Sequence, residues 1–295
     1  MKKILLILSL FLASINVNGQ LLWKVTGAGC YETSYLFGTL HLETREFIDS
    51  VPGLSTAIET VDVIYGELEG DSMTSLSTMM QLIKDATAPA DSTLDKLLYT
   101  EDYIMVDAVV KKYMFGFGLK ELKSLKPAVL TTQLSMMQMQ EFYPNSLDPK
   151  NLIDFAVQKR GKELGKRVEG LEEVEDQTSA LFGAPLLEQA EELADFCRKD
   201  GKFGESSKQL YEAYRAQDLS AIERIVFDPE MGMDDAEMDR MSYERNRKWM
   251  DKITMTLPVQ RVLVAVGAAH LVGKDGLINL LRERGYTVEP VAYEN

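Results

Sequence analysis

The sequence predicts a mixed α/β (α+β) fold. A mixed central sheet takes strands from both chain ends, and a large helical insertion of about 71–255 separates them. Three observations predict this. Apolar, β-branched runs that stop at glycine lie near the start, at 61–66, and near the end, over Val262–Gly267. Between them, apolar residues recur mostly at i, i+3, i+4 spacing, the signature of amphipathic helices. No stretch rich in Gly, Pro or Ser divides the chain, so 20–295 reads as a single domain.

Taken in order, residues 1–19 read as an export signal. Lys2 and Lys3 precede an apolar run over Ile4–Ala13, and Val17-Asn18-Gly19 offers a small-residue exit before Gln20. That run is short for a membrane span, so no stable insertion is expected after cleavage and the protein is expected to be periplasmic or extracellular. Leu21–Val25 and Ser34–Thr39 read as a strand hairpin around a turn with Gly27 and Gly29. A helix over Leu54–Thr60 follows Pro52-Gly53, and Val61–Glu67 reads as a strand that ends in a carboxylate. Helical spacing then marks Met73–Lys84, Ser92–Leu98, Glu101–Met114, Lys120–Leu122, Pro127–Gln140 and Pro149–Leu164, the last opened by Asp148-Pro149. Lys166–Gly170 is a short strand leading into Leu171-Glu172-Glu173. Helices resume over Thr178–Leu181, Leu186–Lys199, Ser206–Ala216, Ser220–Val226 and Asp234–Ile253. After the strand ending at Gly267, Asp275 is placed to cap a helix over Gly276–Arg284, and Pro290 marks Thr287–Ala292 as an edge strand.

The chemistry concentrates at two strand ends. The chain has two histidines, and both sit in the same context, Gly38-Thr39-Leu40-His41-Leu42 and Gly267-Ala268-Ala269-His270-Leu271. Unrelated histidines would share it on the order of once in ten thousand sequences, given ordinary glycine usage. Two such units on neighbouring strands put two imidazoles at one sheet edge, where crevices form in open α/β sheets. A metal site of this type needs a carboxylate besides, and Glu67 closes a strand as the histidines do. Glu69 is a weaker choice; Glu172, also after a strand, is a third ligand, a base or a supporting partner. Imidazole and carboxylate donors suit Zn, Mn, Fe, Co or Cu. Such a site would polarise a carbonyl and acidify water, so amide or ester hydrolysis is the natural reaction. Arg245 and Asn246 are placed to bind a substrate carboxylate or a developing oxyanion.

A formal charge of −14 argues against nucleic acid or an anionic membrane surface as partner. Cys30 and Cys197 can pair in an oxidising compartment, though their spacing does not demand it. The methionines at 79, 80, 136, 137, 139 and 231–241 read as flexible core filler.

The same residues carry a resemblance. Leu22-Trp23-Lys24-Val25, Ser34–Leu42, Ile64–Leu68, Leu171–Gln177, Arg245-Asn246 before Trp249, and Val266–Leu271 together resemble the TraB/PrgY/GumN family, which includes the Tiki metalloproteases. The resemblance implies a fold related to erythromycin esterase and ChaN-like proteins. It implies a metal-dependent peptidase site on His41, His270 and Glu67, with manganese or cobalt as the metal; zinc also suits the donors. Glu172 and Arg245 would support those three. The substrate would be a peptide or small molecule. The alternative is a non-catalytic protein that binds haem, a small ligand or a peptide in the same cleft.

Overall fold

The computed structural model describes residues 20–27, 29–70, 75–139, 151–230 and 232–291. The expected leader, the Asp148-Pro149 helix start and Met231 lie outside these. Six strands form one sheet: β1 (Leu22–Thr26), β2 (Ser34–Thr39), β3 (Val63–Gly66), β4 (Arg167–Gly170), β5 (Val262–Gly267) and β6 (Thr287–Pro290), in the order β4-β3-β5-β2-β1-β6. The β1/β2 hairpin is antiparallel, as its short turn requires. The β4, β3, β5 and β2 strands run parallel. All six residues of β5 are buried, which its unbroken apolar run anticipates for a strand covered on both faces. β6 lies at an edge, where Pro290 needs no second partner strand.

The four parallel strands deliver their carboxyl ends to one edge. They end at Gly170, Gly66, Gly267 and Thr39. Two of these glycines sit in tight places, and at Gly170 backbone leaves no room for a side chain. A Cβ on Gly66 would lie 2.3 Å from Gln158 Nε2, and one on Gly170 would lie 2.8 Å from the Glu69 backbone nitrogen. The β3 and β4 ends can therefore cross closely, and the Leu171 and Glu172 amides donate to the Glu67 carbonyl at 3.0 and 3.1 Å.

Two apolar clusters hold the chain. One packs the sheet against Leu54–Thr60, Ile153–Glu163, Glu244–Thr256 and Leu277–Glu283. The other, from Leu94, Val106, Leu130 and Leu193 among others, lies wholly within the helical insertion. Each fully buried aliphatic contributes about 1.5–3 kcal/mol relative to exposure.

Several expectations need correction. Lys120–Leu122 forms turns, not a helix. Asp275 does not cap the last helix; Gly276 holds the N-cap position without a side-chain bond, and Asp275 pairs instead with Arg247 at 2.6 Å. Met79, Met80 and Met136 are exposed, although Met238 and Met250 are core residues. Cys30 and Cys197, whose pairing the sequence leaves open, are free thiols; Cys197 belongs to the helical cluster whereas Cys30 packs on the sheet cluster.

Candidate active site

His41, Glu67, Glu172 and His270 each follow the carboxyl end of a parallel strand, so the sheet brings all four to one edge. Arg245 arrives from the facing helix Glu244–Thr256. The turn before it, Asp239–Tyr243, widens into a π-helix, a device found disproportionately at functional sites. Arg245, Asn246, Trp249 and Met250 are all buried on the face turned to the sheet.

Glu67 stands at the centre. Its Oε1 lies 3.8 Å from Nε2 of His41 and 3.8 Å from Nε2 of His270, and it accepts the Gly267 N–H at 2.8 Å. A Cβ on Gly267 would meet Glu67 Oε1 at 3.3 Å, His41 Nε2 at 3.4 Å and His270 Cδ2 at 3.7 Å. The missing side chain of Gly267 is thus the cradle on which the three groups converge. Glu67 Oε2 accepts from Arg245 Nη2 at 2.6 Å and from Gln177 Nε2 at 3.3 Å.

Arg245 is saturated. Its Nε and Nη2 clamp both Glu172 oxygens, at 2.9 and 2.5 Å, and its Nη1 reaches the Met241 carbonyl at 2.8 Å and His270 Nε2 at 3.1 Å. The Trp249 indole N–H also donates to Glu172, at 3.2 Å. Asn246 is equally engaged with His270 and with the Asp275 carbonyl. The sequence expectation for Arg245 and Asn246 is a substrate carboxylate or oxyanion; in this structure their donors are engaged within the site.

The two histidines differ. His270 is 4% exposed, stacked 4.5 Å from the Trp249 ring, and burial pushes its pKa down to about 3, with Arg245 adding to the effect. It is neutral. The His41 side chain is 63% exposed; its Nδ1 lies 3.2 Å from Asp154, whose other oxygen accepts from Thr39 Oγ1. Asp154 is the main cause that raises the His41 pKa, and water at this exposed ring damps the pull. Burial opposes ionisation of Glu67, but the His41 and Arg245 charges and the Gly267 amide hold the carboxyl well below its usual range. Burial raises the Glu172 pKa against the pull of Arg245.

The donor types of His41, His270 and Glu67 suit a divalent cation, and the Gly267 cradle gathers them. The spacing as it stands is that of an arginine-centred network: among the described residues no group of three His, Cys, Asp or Glu side chains is arranged to hold a metal ion. Glu69 is turned away, paired with Lys162 at 3.1 Å. Sequence reasoning missed Asp154. It sits in the first turn of Ile153–Glu163, where an acidic residue is ordinary, and only the fold puts it beside His41.

Among the described residues no helix is long and apolar enough to cross a membrane. The sequence model of the TraB/PrgY/gumN family matches residues 21–290. A protein named Metalloprotease TIKI homolog from Amphimedon queenslandica is 24% identical, over 90% of this chain and 60% of its own length. Metalloproteases TIKI1 and TIKI2 of Danio rerio are 21% and 22% identical, over 87% and 91% of this chain and 60% of theirs. This chain spans about 60% of the length of these relatives. No solved structure matches it significantly.

Proposed function

This chain belongs to the TraB/PrgY/gumN family, and on that premise we propose that it is an exported, metal-dependent hydrolase acting on peptides. The observation that carries the reading is the convergence of Glu67 Oε1 with both histidine Nε2 atoms, each at 3.8 Å, over the side-chain-free Gly267. The names of the similar TIKI metalloproteases support the metal and the peptide bond. His41, His270 and Glu67 would hold the cation; manganese, cobalt and zinc all suit these donors. When bound, a divalent cation polarises a carbonyl and acidifies water.

The remaining steps belong to the chain itself. Glu67, kept ionised, supplies the negative charge that such a site needs. Arg245 holds Glu67 and Glu172 in fixed orientations through paired N–H donors, and in doing so offsets two buried carboxylates. His41, the exposed imidazole, is the one a substrate reaches first, and Asp154 fixes its ring. Trp249 and the helix behind it keep water from His270.

The test is the metal content of protein purified without chelator, beside His41→Ala and His270→Ala, followed by a peptidase assay with chelator and with added Mn²⁺ or Co²⁺. Near-stoichiometric metal in the wild type, lost in both variants, with chelator-sensitive cleavage, is expected. No metal after reconstitution, or a fully active His270→Ala, would overturn the reading and leave ligand binding as the function.

A further inference from the structure

The bonds around His270 specify where its proton sits. Asn246 is fully buried, and its Nδ2 is committed as donor to two carbonyls, His270 O at 3.0 Å and Asp275 O at 2.8 Å. The amide orientation follows from this, and it turns Oδ1 toward His270 Nδ1 at 2.7 Å. An amide oxygen only accepts, so Nδ1 must carry the proton. The opposite side of the ring agrees. Arg245 Nη1 lies 3.1 Å from Nε2, and a guanidinium only donates, so Nε2 must present its lone pair.

We propose that Asn246 is a positioning residue that locks His270 as the neutral Nδ1–H tautomer and aims its Nε2 lone pair at the cradle beside Glu67. The inference deepens the hydrolase reading, because it rests on His270 being a working residue of that site. Its consequence is a rule for what can stand against Nε2: a hydrogen-bond donor or a cation, never an acceptor. Arg245 fills that place now, and any metal must take the lone pair from it. Asn246 does this without charge, whereas Asp154 orients His41 with a carboxylate, so the two histidines are held by different chemistry. Ligating histidines elsewhere are oriented through their second nitrogen in the same manner.

The presence of only two histidines makes the test direct. Full chain labelled with ¹⁵N-histidine and stripped of metal is read by imidazole NMR, with His41→Ala leaving a single ring. The expected spectrum shows a protonated Nδ1 and a bare Nε2 on His270. Two variants separate Asn246 from Arg245. In Asn246→Leu the Nδ1–H loses its acceptor, and its exchange with water should speed up by about tenfold, the factor for one lost hydrogen bond. In Arg245→Met, Asn246 acts alone and should keep the Nδ1–H form. A protonated Nε2 in the wild type overturns the proposal, as does unchanged exchange in Asn246→Leu or a switch to the Nε2–H form in Arg245→Met. The wild-type spectrum decides the tautomer even if a variant does not fold. Every readout is taken without metal, so failure here and failure of the hydrolase reading are separate results.

Discussion

Replacing Arg245 with methionine should destabilise the protein by an amount that shrinks as pH falls. The side chains of Arg245, Glu67 and Glu172 are 8%, 7% and 3% exposed, so water cannot replace the lost guanidinium. Removing one partner of a buried pair costs about 3–5 kcal/mol, because the remaining charge stays desolvated. In a chain of this size that corresponds to a fall in Tm of roughly 6–10 °C at pH 7. In the wild type the depressed Glu67 pKa contributes stability that is present above the ordinary carboxylate value, about 4.3, and lost only as pH falls through the lower folded value. In Arg245→Met Glu172 is buried without a cation and Glu67 keeps only His41 beside it, so their folded values rise. The variant's penalty is then largest at neutral pH and relieved as pH falls toward about 4.3. Urea unfolding of metal-stripped wild type and variant at about pH 7 and pH 5 measures this. A gap of the same size at both values, or one below about 1 kcal/mol at pH 7, would refute the argument that Arg245 is the charge on which the two glutamates depend.

Further tests address single contacts. Gly267→Ala needs no backbone change, since Gly267 has φ −49° and ψ 136°, but its methyl would fill the cradle; metal stoichiometry and peptidase activity should both collapse while stability shifts by about 1 kcal/mol or less. His270 should show no NMR titration from pH 8 to about 4.5, because its ordinary value near 6.5 is pushed down toward 3. Its contribution to stability is accordingly lost as pH falls from about 6.5. Asp154→Asn should bring the His41 titration down toward the ordinary range, as read from the same spectra, since Asp154 is the main cause of its rise. Tyr214→Phe removes a buried hydroxyl that donates to the Gly38 carbonyl at 3.0 Å and should cost about 1–3 kcal/mol in chemical denaturation.

Much of the sheet edge was legible because strand ends announce themselves. Glycine after a β-branched run marks where β5 stops, and the Gly-x-x-His spacing places each imidazole one short turn beyond. The same logic found Glu67 and Glu172, which follow β3 and β4. What local pattern does not encode is which strands become neighbours. That β5 lies between β3 and β2 follows from packing across the whole chain, and only that order sets Glu67 between the two histidines. Arg245 and Asn246 read as an amphipathic helix with a choice of roles, because their saturation depends on partners 73 and 24 residues away in sequence. Asp154 was hidden for the same reason, its partner His41 lying 113 residues off. Met79 and Met80 misled because helical spacing reports a face without reporting what covers it.

The central place of β5 bears on when the site can exist during synthesis. Until Val262–Gly267 inserts, β3 with β4 and β2 with β1 are separate ribbons, each presenting an open edge. The last strand to be made but one is the keystone, and it carries His270 with it. No partly synthesised chain can therefore hold the assembled centre. Glu67 and His41, although made early, stay apart until nearly the whole polypeptide is available. A product ending before residue 262 lacks both β5 and His270, so Glu67, His41 and His270 cannot be brought together in it.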